Sequence, residues 1–230
     1  MTTTRQGRFS DDHIYRNLTI ALALLFVSSP LLDRVLGSAR IDSYLIAGFL
    51  FFALFQITRR RADRVIGLGL GIPAVAGGII NAATPDSPTI NAVPTILSAL
   101  FLGFLVLRIL KDVISGTRIT SEQIFGSVSA YLLIGLMFSS IYGFISLVDP
   151  EAFALNDALT VHVAEKPDEQ SFGLTTYFSF VTMSTLGYGD ITPVSEVARS
   201  FAWFQAVLGQ LYLAIAVASL VGIHIARNRA

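Results

Sequence analysis

Long apolar runs separated by short polar stretches dominate this chain and predict membrane-spanning helices. A helix needs roughly 17–25 residues to cross the hydrocarbon core of a bilayer. The six apolar segments, numbered in chain order, run approximately over Leu18–Leu36, Ser43–Ile57, Val65–Ala83, Ala92–Leu110, Ile124–Val148 and Val197–Ala226. Segments 3 to 6 meet this length, whereas segment 1 is interrupted by Asp33 and Arg34 and segment 2 has only about 15 apolar-dominated positions.

Segments 1 and 2 could instead be interfacial or buried helices. An interfacial helix carries a strongly charged face, but the run from Tyr44 to Phe55 in segment 2 is apolar on every side. We therefore expect six transmembrane helices.

The distribution of basic residues predicts the orientation. If both termini are cytoplasmic, twelve basic residues lie inside and four lie outside, which is the positive-inside bias of membrane proteins. The inside residues are Arg5, Arg8, Arg16, Arg59, Arg60, Arg61, Arg64, Arg108, Lys111, Arg118, Arg227 and Arg229, and the outside ones are Arg34, Arg40, Lys166 and Arg199. We expect cytoplasmic N- and C-termini in a plasma membrane, and the small size suggests a prokaryotic inner membrane.

Composition narrows the function classes. Hydrophobic residues make up 53% of the chain and charged residues 14%, against about a quarter charged in a typical soluble domain. The net charge of zero gives no reason to expect a nucleic-acid partner, whereas membrane lipid must surround the chain. There is no cysteine, no nucleotide-binding loop, no metal-ligand cluster and no Ser-His-Asp candidate, so we expect no enzyme and no cofactor.

The connection between segments 5 and 6 contains a short helix followed by an unusual hexapeptide. Residues 171–184 are long enough for a helix but too short to span a membrane, and they lead into Thr185-Leu186-Gly187-Tyr188-Gly189-Asp190. Extended backbone at membrane depth must be buried in protein or must line water. The pattern predicts a re-entrant loop. The acidic stretch before it, residues 149–170, either raises the local cation concentration or is an ordinary solvated loop.

The hexapeptide fits the chemistry of potassium selection. A selective pore replaces the hydration shell of K⁺ with rings of backbone carbonyl oxygens. The carbonyls of Thr185, Leu186, Gly187 and Tyr188, with the Thr185 hydroxyl, can supply such rings where four chains meet on one axis. Gly187 and Gly189 can adopt conformations that aim successive carbonyls inward, and Tyr188 would brace the filter from behind. We therefore expect a homotetramer whose permeant ligand is K⁺.

The sequence resembles the tetrameric potassium-channel family, and within it the six-transmembrane, voltage-gated-like branch. The resemblance covers about 100 residues of segments 5 and 6 with their loop, where Ser184 to Asp190 match the family's Thr-Thr-Val-Gly-Tyr-Gly-Asp. It implies filter support from Tyr177 and Phe178, which replace two tryptophans. Tyr177 could donate to Asp190, whereas Phe178 cannot donate to Tyr188, which leaves Thr182 as the expected partner of that phenol.

The same resemblance gives expectations for segment 6. Gly209 occupies the position of the family's proposed hinge glycine, although close helix packing explains a glycine there equally well. Ala216-Val217-Ala218 replaces a Pro-Val-Pro kink, so we expect a straighter helix. The inner pore lining is predicted to be apolar and to include Leu213, Val217 and Leu220.

Segment 4 lacks the arginine-rich pattern of a voltage sensor. Steep voltage gating requires several charges that cross the field, but Arg108 and Lys111, the two basic residues of segment 4, lie at its cytoplasmic end. We expect absent or weak voltage dependence. The gating stimulus stays open between lipid, tension, pH, an accessory subunit and constitutive activity.

Two rival functions would leave different signals in the sequence. A non-selective cation channel would favour an acidic residue in place of Tyr188 or a residue without a hydroxyl in place of Thr185. A secondary transporter would show broken helices in both halves.

The predicted fold class is an all-α membrane protein with six transmembrane helices and a re-entrant pore helix and filter between helices 5 and 6. The predicted organisation is a cytoplasmic tail (1–17), a four-helix voltage-sensor-like domain that is not expected to sense voltage (18–112) and a pore domain (113–230). Within the pore domain we expect an outer helix (121–148), an acidic outer loop (149–170), a pore helix (171–184), a filter (185–190) and an inner helix (195–226).

Overall fold

The protein is a helical bundle with one short pair of strands. The computed structural model describes residues 13–36, 48, 51, 54–55, 57–58, 61–83, 88–115, 120–157, 159–160 and 171–228. In chain order the elements are α1 (Ile14–Leu36), α2 (Arg61–Ala83), α3 (Pro88–Ser115), α4 (Ser121–Val148), β1 (Phe153–Leu155), α5 (Ser171–Met183), β2 (Ile191–Pro193) and α6 (Glu196–Asn228). Most of segment 2 lies outside the described residues.

Helices α2 and α3 form an antiparallel pair. A Cβ built on Gly77 would lie 2.1 Å from Cγ of Pro94, and at the opposite end Asp63 pairs with Arg108 at 3.1 Å. The polar stretch from Asn81 to Asn91, which reads as one turn, is mostly helical: α2 continues to Ala83 and α3 begins at Pro88. Proline fits the first turn of a helix because the amide hydrogen it lacks has no intrahelical partner there.

Helix α4 is the centre of the bundle, because it packs against α1, α3, α5 and α6. It begins at a capping box, in which Gln123 N donates to the Thr120 side chain and Thr120 N donates to the Gln123 side chain. The sequence predicts this start, and the box satisfies two amides that the first helical turn leaves free.

Helix α4 also binds the start of α1. The carboxylate of Glu122 accepts a hydrogen bond from Tyr15 N at 2.9 Å, and the Thr19 hydroxyl donates to the Phe125 carbonyl. The two helices therefore run in parallel from the same end of the bundle.

Helix α5 enters the bundle only partway before the chain turns back. The Ser179 hydroxyl donates to the carbonyl of Gly135, near the middle of α4. The chain then returns to β2, which pairs antiparallel with β1 just beyond the end of α4. Asn156 N donates to the Asp190 carbonyl at 2.9 Å, which joins this strand pair to the end of the hexapeptide.

Among the described residues, three helical stretches are long and apolar enough to cross a membrane. They are Asn91–Ile114, Ser121–Val148 and Glu196–Ser219. The short helix ends at Met183 rather than Ser184, and the last helix spans Glu196–Asn228 rather than 195–226.

Candidate ion-binding site

The hexapeptide that follows α5 has an alternating backbone. Thr185, Gly187 and Gly189 have φ angles of 60°, 54° and 77°, whereas Leu186 and Tyr188 do not have positive φ. Alternation between left- and right-handed residues aligns successive peptide groups, so that N–H groups point to one side and carbonyls to the other. A β-branched residue with positive φ is a true outlier, and Thr185 thus holds a conformation that costs on the order of 1–3 kcal/mol.

The last turn of α5 holds the start of this segment. Ser184 N donates to the Phe180 carbonyl, Thr185 N to Thr182, and Leu186 N to Val181, at 3.0 to 3.1 Å. The final carbonyls of a helix have no partner within the helix. Since the hexapeptide supplies these partners, any rotation of α5 displaces Thr185 and Leu186 as well.

Tyr177 of α5 contacts the end of the hexapeptide. The Tyr177 hydroxyl donates to Oδ2 of Asp190 at 2.5 Å, a contact that the sequence allows. Mainly through this hydrogen bond, Asp190 raises the pKa of Tyr177 to about 12, so the hydroxyl stays a donor well into the alkaline range. The ring of Tyr177 stacks on that of Tyr188, with planes 8° apart. Tyr177 therefore contacts both ends of the Tyr188–Asp190 stretch.

Thr182 and Phe178 make different contacts within a single chain. In the described part of this chain no hydrogen bond joins Tyr188 to Thr182, whose carbonyl accepts the backbone hydrogen bond from Thr185 N. Phe178 is buried and packs edge-on against Tyr142 and Phe153, at centroid distances of 4.9 and 5.2 Å. Phe178 thus anchors α5 to α4 and β1, since an apolar ring is stabilised most by burial.

Gly209 lies against the end of α5. A Cβ at this position would lie 2.6 Å from the Met183 carbonyl oxygen and 2.7 Å from its Cγ. Of the two explanations for this glycine, the geometry favours close packing, and α6 runs through it as one helix. Further along α6, the side chains of Leu213 and Val217 are exposed in a single chain, and the Leu220 side chain lies outside the described residues.

Three polar side chains that the sequence does not single out form a buried series of hydrogen bonds at α5. The Tyr142 hydroxyl donates to Oε1 of Gln205 at 2.6 Å, and Nε2 of Gln205 donates to Oγ of Ser179 at 2.7 Å. Gln205 lies 26 positions from Ser179 and 63 positions from Tyr142 in the sequence. One signal in the sequence indicates these hydrogen bonds, namely a glutamine among the apolar residues of segment 6, because polar side chains in membrane helices usually face a partner.

Comparison with known proteins gives matches in this same region. Residues 130–224 match a family model described as an ion channel. The voltage-gated potassium channel Kch of Escherichia coli is 37% identical over 83 residues, which are 36% of this chain and 20% of that protein. The inward rectifier potassium channel Kirbac3.1 of Paramagnetospirillum magnetotacticum is 37% identical over 75 residues, 33% of this chain and 25% of that protein.

The chain therefore spans about a fifth to a quarter of the length of these relatives. No solved structure gives a significant match. The matches confirm that residues 130–224 resemble potassium channels, and a family model described as an ion channel covers this region of the chain.

Proposed function

We propose that four copies of this channel protein form a K⁺-selective pore, in which residues 185–189 are the selectivity filter and Asp190, Tyr177, Phe178 and Thr182 support it. The observation that carries the proposal is the alternation of backbone hand at Thr185, Gly187 and Gly189. Carbonyls aligned on one side of a strand are what a chain needs to contribute oxygens to successive rings around a dehydrated cation. K⁺ passes through these rings down its gradient.

The path of the chain supports a re-entrant pore helix. Helix α5 ends beside Gly135 and Gly209, partway along two long helices. The C-terminus of α5 is the negative end of the helix dipole, which stabilises a cation in the interior of the bundle. The chain then returns to the strand pair at the end where α5 entered.

The exposure of this segment in a single chain supports fourfold assembly. Residues 184–189 are all exposed in a single chain, and Tyr188 has 66% of its surface accessible. One chain lines one side of a path, and four copies on one axis close a ring of carbonyls. The exposed apolar faces of α6, including Leu213 and Val217, would then line the inner cavity together with Leu220.

We assign six membrane-spanning helices with both termini in the cytoplasm. The starts of α1 and α4 meet at Tyr15 and Glu122, and the N-terminal end of α2 meets the C-terminal end of α3 at Asp63 and Arg108. These helix ends belong to the loops that carry the excess of basic residues, as the positive-inside rule requires. The bacterial origin of both relatives supports a prokaryotic inner membrane.

The native chain has no cysteine, so single cysteines can report this topology without competition. A cysteine in place of Ala62 should be protected from a membrane-impermeant maleimide added outside intact cells, and one in place of Glu151 should react. The opposite pattern would reverse the assigned orientation.

Voltage dependence should be weak, and helices α1 to α3 then serve as a scaffold around the pore. Arg108 is ion-paired with Asp63, and both side chains are 17% exposed. A charge held in this way at a helix end crosses little of the field, and each charge that crosses 100 mV gains only about 2.3 kcal/mol. A conductance–voltage curve measured on the wild-type channel tests this point directly.

The decisive experiment is cation flux into vesicles that contain the purified protein. We expect K⁺ uptake far above Na⁺ uptake, and a detergent-corrected particle mass of four chains. Equal K⁺ and Na⁺ uptake would replace the proposal with a non-selective pore. A particle with a different number of chains would remove the carbonyl ring on which the proposal depends.

A further inference from the structure

The side-chain amide of Gln205 on α6 is completely buried, and all its hydrogen-bonding groups are used. Its exposed fraction is 0%. Nε2 donates to both Oγ and the carbonyl oxygen of Ser179, at 2.7 and 3.2 Å, and Oε1 accepts from the Tyr142 hydroxyl at 2.6 Å. An amide has two donor hydrogens and a carbonyl acceptor, so this site fixes the orientation of Gln205.

The bonds around Gln205 form one directed chain across three helices. Tyr142 of α4 donates to Gln205 of α6, Gln205 donates to Ser179 of α5, and the Ser179 hydroxyl donates to the Gly135 carbonyl on α4 at 2.6 Å. Hydrogen bonds are directional and weaken steeply when bent or stretched. The chain therefore fixes both the height and the rotation of α5 relative to its neighbours.

One helical turn further along, the same two helices meet again. Gly209 follows Gln205 by four positions and Met183 follows Ser179 by four, and Gly209 packs directly against the Met183 carbonyl. Residues four apart lie on the same face of a helix. The Gln205–Ser179 and Gly209–Met183 contacts thus form one seam, the α5–α6 seam, which ends where the hexapeptide begins.

We propose that Gln205 is a positioning residue for ion selection, which acts through Ser179 and the last turn of α5 on the oxygens of Thr185 and Leu186. This inference rests on the proposed K⁺ pore. The amides of both filter residues are bonded to the last turn of α5, so a shift of α5 moves their peptide groups. Selectivity should therefore depend on a side chain that faces away from the filter.

The alternative is that Gln205 only holds the helices together, since polar side chains act as interhelical glue in membranes. The two roles separate when K⁺/Na⁺ permeability ratio and tetramer thermal stability are measured on the same variants. A residue that only holds the helices together affects the thermal stability of the tetramer alone, whereas a positioning residue also affects the K⁺/Na⁺ permeability ratio.

The test compares three variants, Gln205→Leu, Ser179→Ala and the double variant, with Tyr212→Phe as the control. The K⁺/Na⁺ permeability ratio of each is measured from reversal potentials, with K⁺ on one side of a bilayer and Na⁺ on the other. Tyr212 lies on the same helix and donates to the Ser127 carbonyl on α4, so its variant removes one α6 hydrogen bond that does not reach α5. We expect each single variant in the α5–α6 seam to lower the permeability ratio by roughly three- to tenfold, the value of one hydrogen bond. The double variant should lower the ratio by less than the two single effects combined, because both single variants remove the Gln205–Ser179 bond, although Ser179→Ala also removes the bond to Gly135.

A Gln205→Leu channel with wild-type selectivity and reduced thermal stability would overturn the inference and leave the K⁺ pore intact. Equal loss of selectivity in Tyr212→Phe would also overturn it, because the effect would then not be specific to the α5–α6 seam. If Gln205→Leu fails to assemble, Ser179→Ala decides by the same criterion. A wild-type channel that does not select K⁺ refutes the proposed function itself, so the two failures are distinguishable.

Discussion

The α2–α3 pair and the α4–α5–α6 group are both apolar, but different forces hold them together. In α2–α3 the close contacts are steric, as at Gly77 against Pro94, and the ion pair of Asp63 with Arg108 lies at one end. In α4–α5–α6 a continuous set of buried side-chain hydrogen bonds crosses the middle of the helices.

This difference matches what each group must do. Steric contacts set the distance between helices but leave their small sliding motions nearly free, because dispersion attraction has little directional preference. Hydrogen bonds define direction as well as distance. Under the proposed function, the group that would hold carbonyl oxygens at fixed positions is the one that uses directional bonds.

The largest effect should come from a change inside the hexapeptide. Gly187→Val places a β-branched residue at a φ of 54°, which disfavours the alternating backbone by about 1–3 kcal/mol in every subunit. We expect at least about a tenfold loss of K⁺ flux into vesicles. The matched control is Gly173→Ala in α5, where a new Cβ meets nothing within 4 Å. Wild-type K⁺ selectivity in Gly187→Val would show that the alternating backbone of the hexapeptide is not needed for ion selection.

A smaller effect, on stability alone, is expected in the α2–α3 pair. In Gly77→Ala the new Cβ would lie 2.1 Å from Cγ of Pro94, and such overpacking typically costs about 1–3 kcal/mol. Thermal unfolding should begin several degrees lower, whereas the K⁺/Na⁺ permeability ratio should stay unchanged. Gly69→Ala serves as control, since its Cβ has open space. A changed permeability ratio in Gly77→Ala would mean that steric contacts also position the filter.

The smallest effect concerns the ion pair. Arg108→Gln removes a charge at the end of α3, and we expect the steepness of the conductance–voltage curve to stay the same within error. The reason is that a charge held by Asp63 at the helix end contributes little gating charge. A shallower curve in this variant would show that Arg108 moves through the field, and it would give the α2–α3 pair a sensing role.

Local signals predicted the helices of the channel domain well. The capping box at Thr120 and Gln123 marks the start of α4 from residues three positions apart, and long apolar runs mark α4 and α6. Prolines and polar residues make the stretch from Asn81 to Asn91 resemble a turn in the sequence, although Pro88 is compatible with the first turn of a helix and begins α3.

The candidate site could be predicted in part. The hexapeptide is contiguous, so its glycines and its chemistry can be read directly from the sequence, and the pairing of Tyr177 with Asp190 was implied by the resemblance to the potassium-channel family. The bond between Gln205 and Ser179 joins positions 26 apart on two helices, and a glutamine in an apolar helix indicates a partner without showing which residue it is. Likewise, the positive φ of Thr185 contradicts its own conformational preference and arises from its surroundings.

The pairing of β1 with β2 has a consequence for the acidic connection that precedes α5. The strand register and the bond from Asn156 N to the Asp190 carbonyl fasten the chain immediately before this connection to the chain immediately after the hexapeptide. The strand pair and this hydrogen bond hold Asp190 beside Asn156 through contacts that involve none of residues 161–170. A tag inserted within residues 161–170 should therefore leave the pairing of β1 with β2 unchanged.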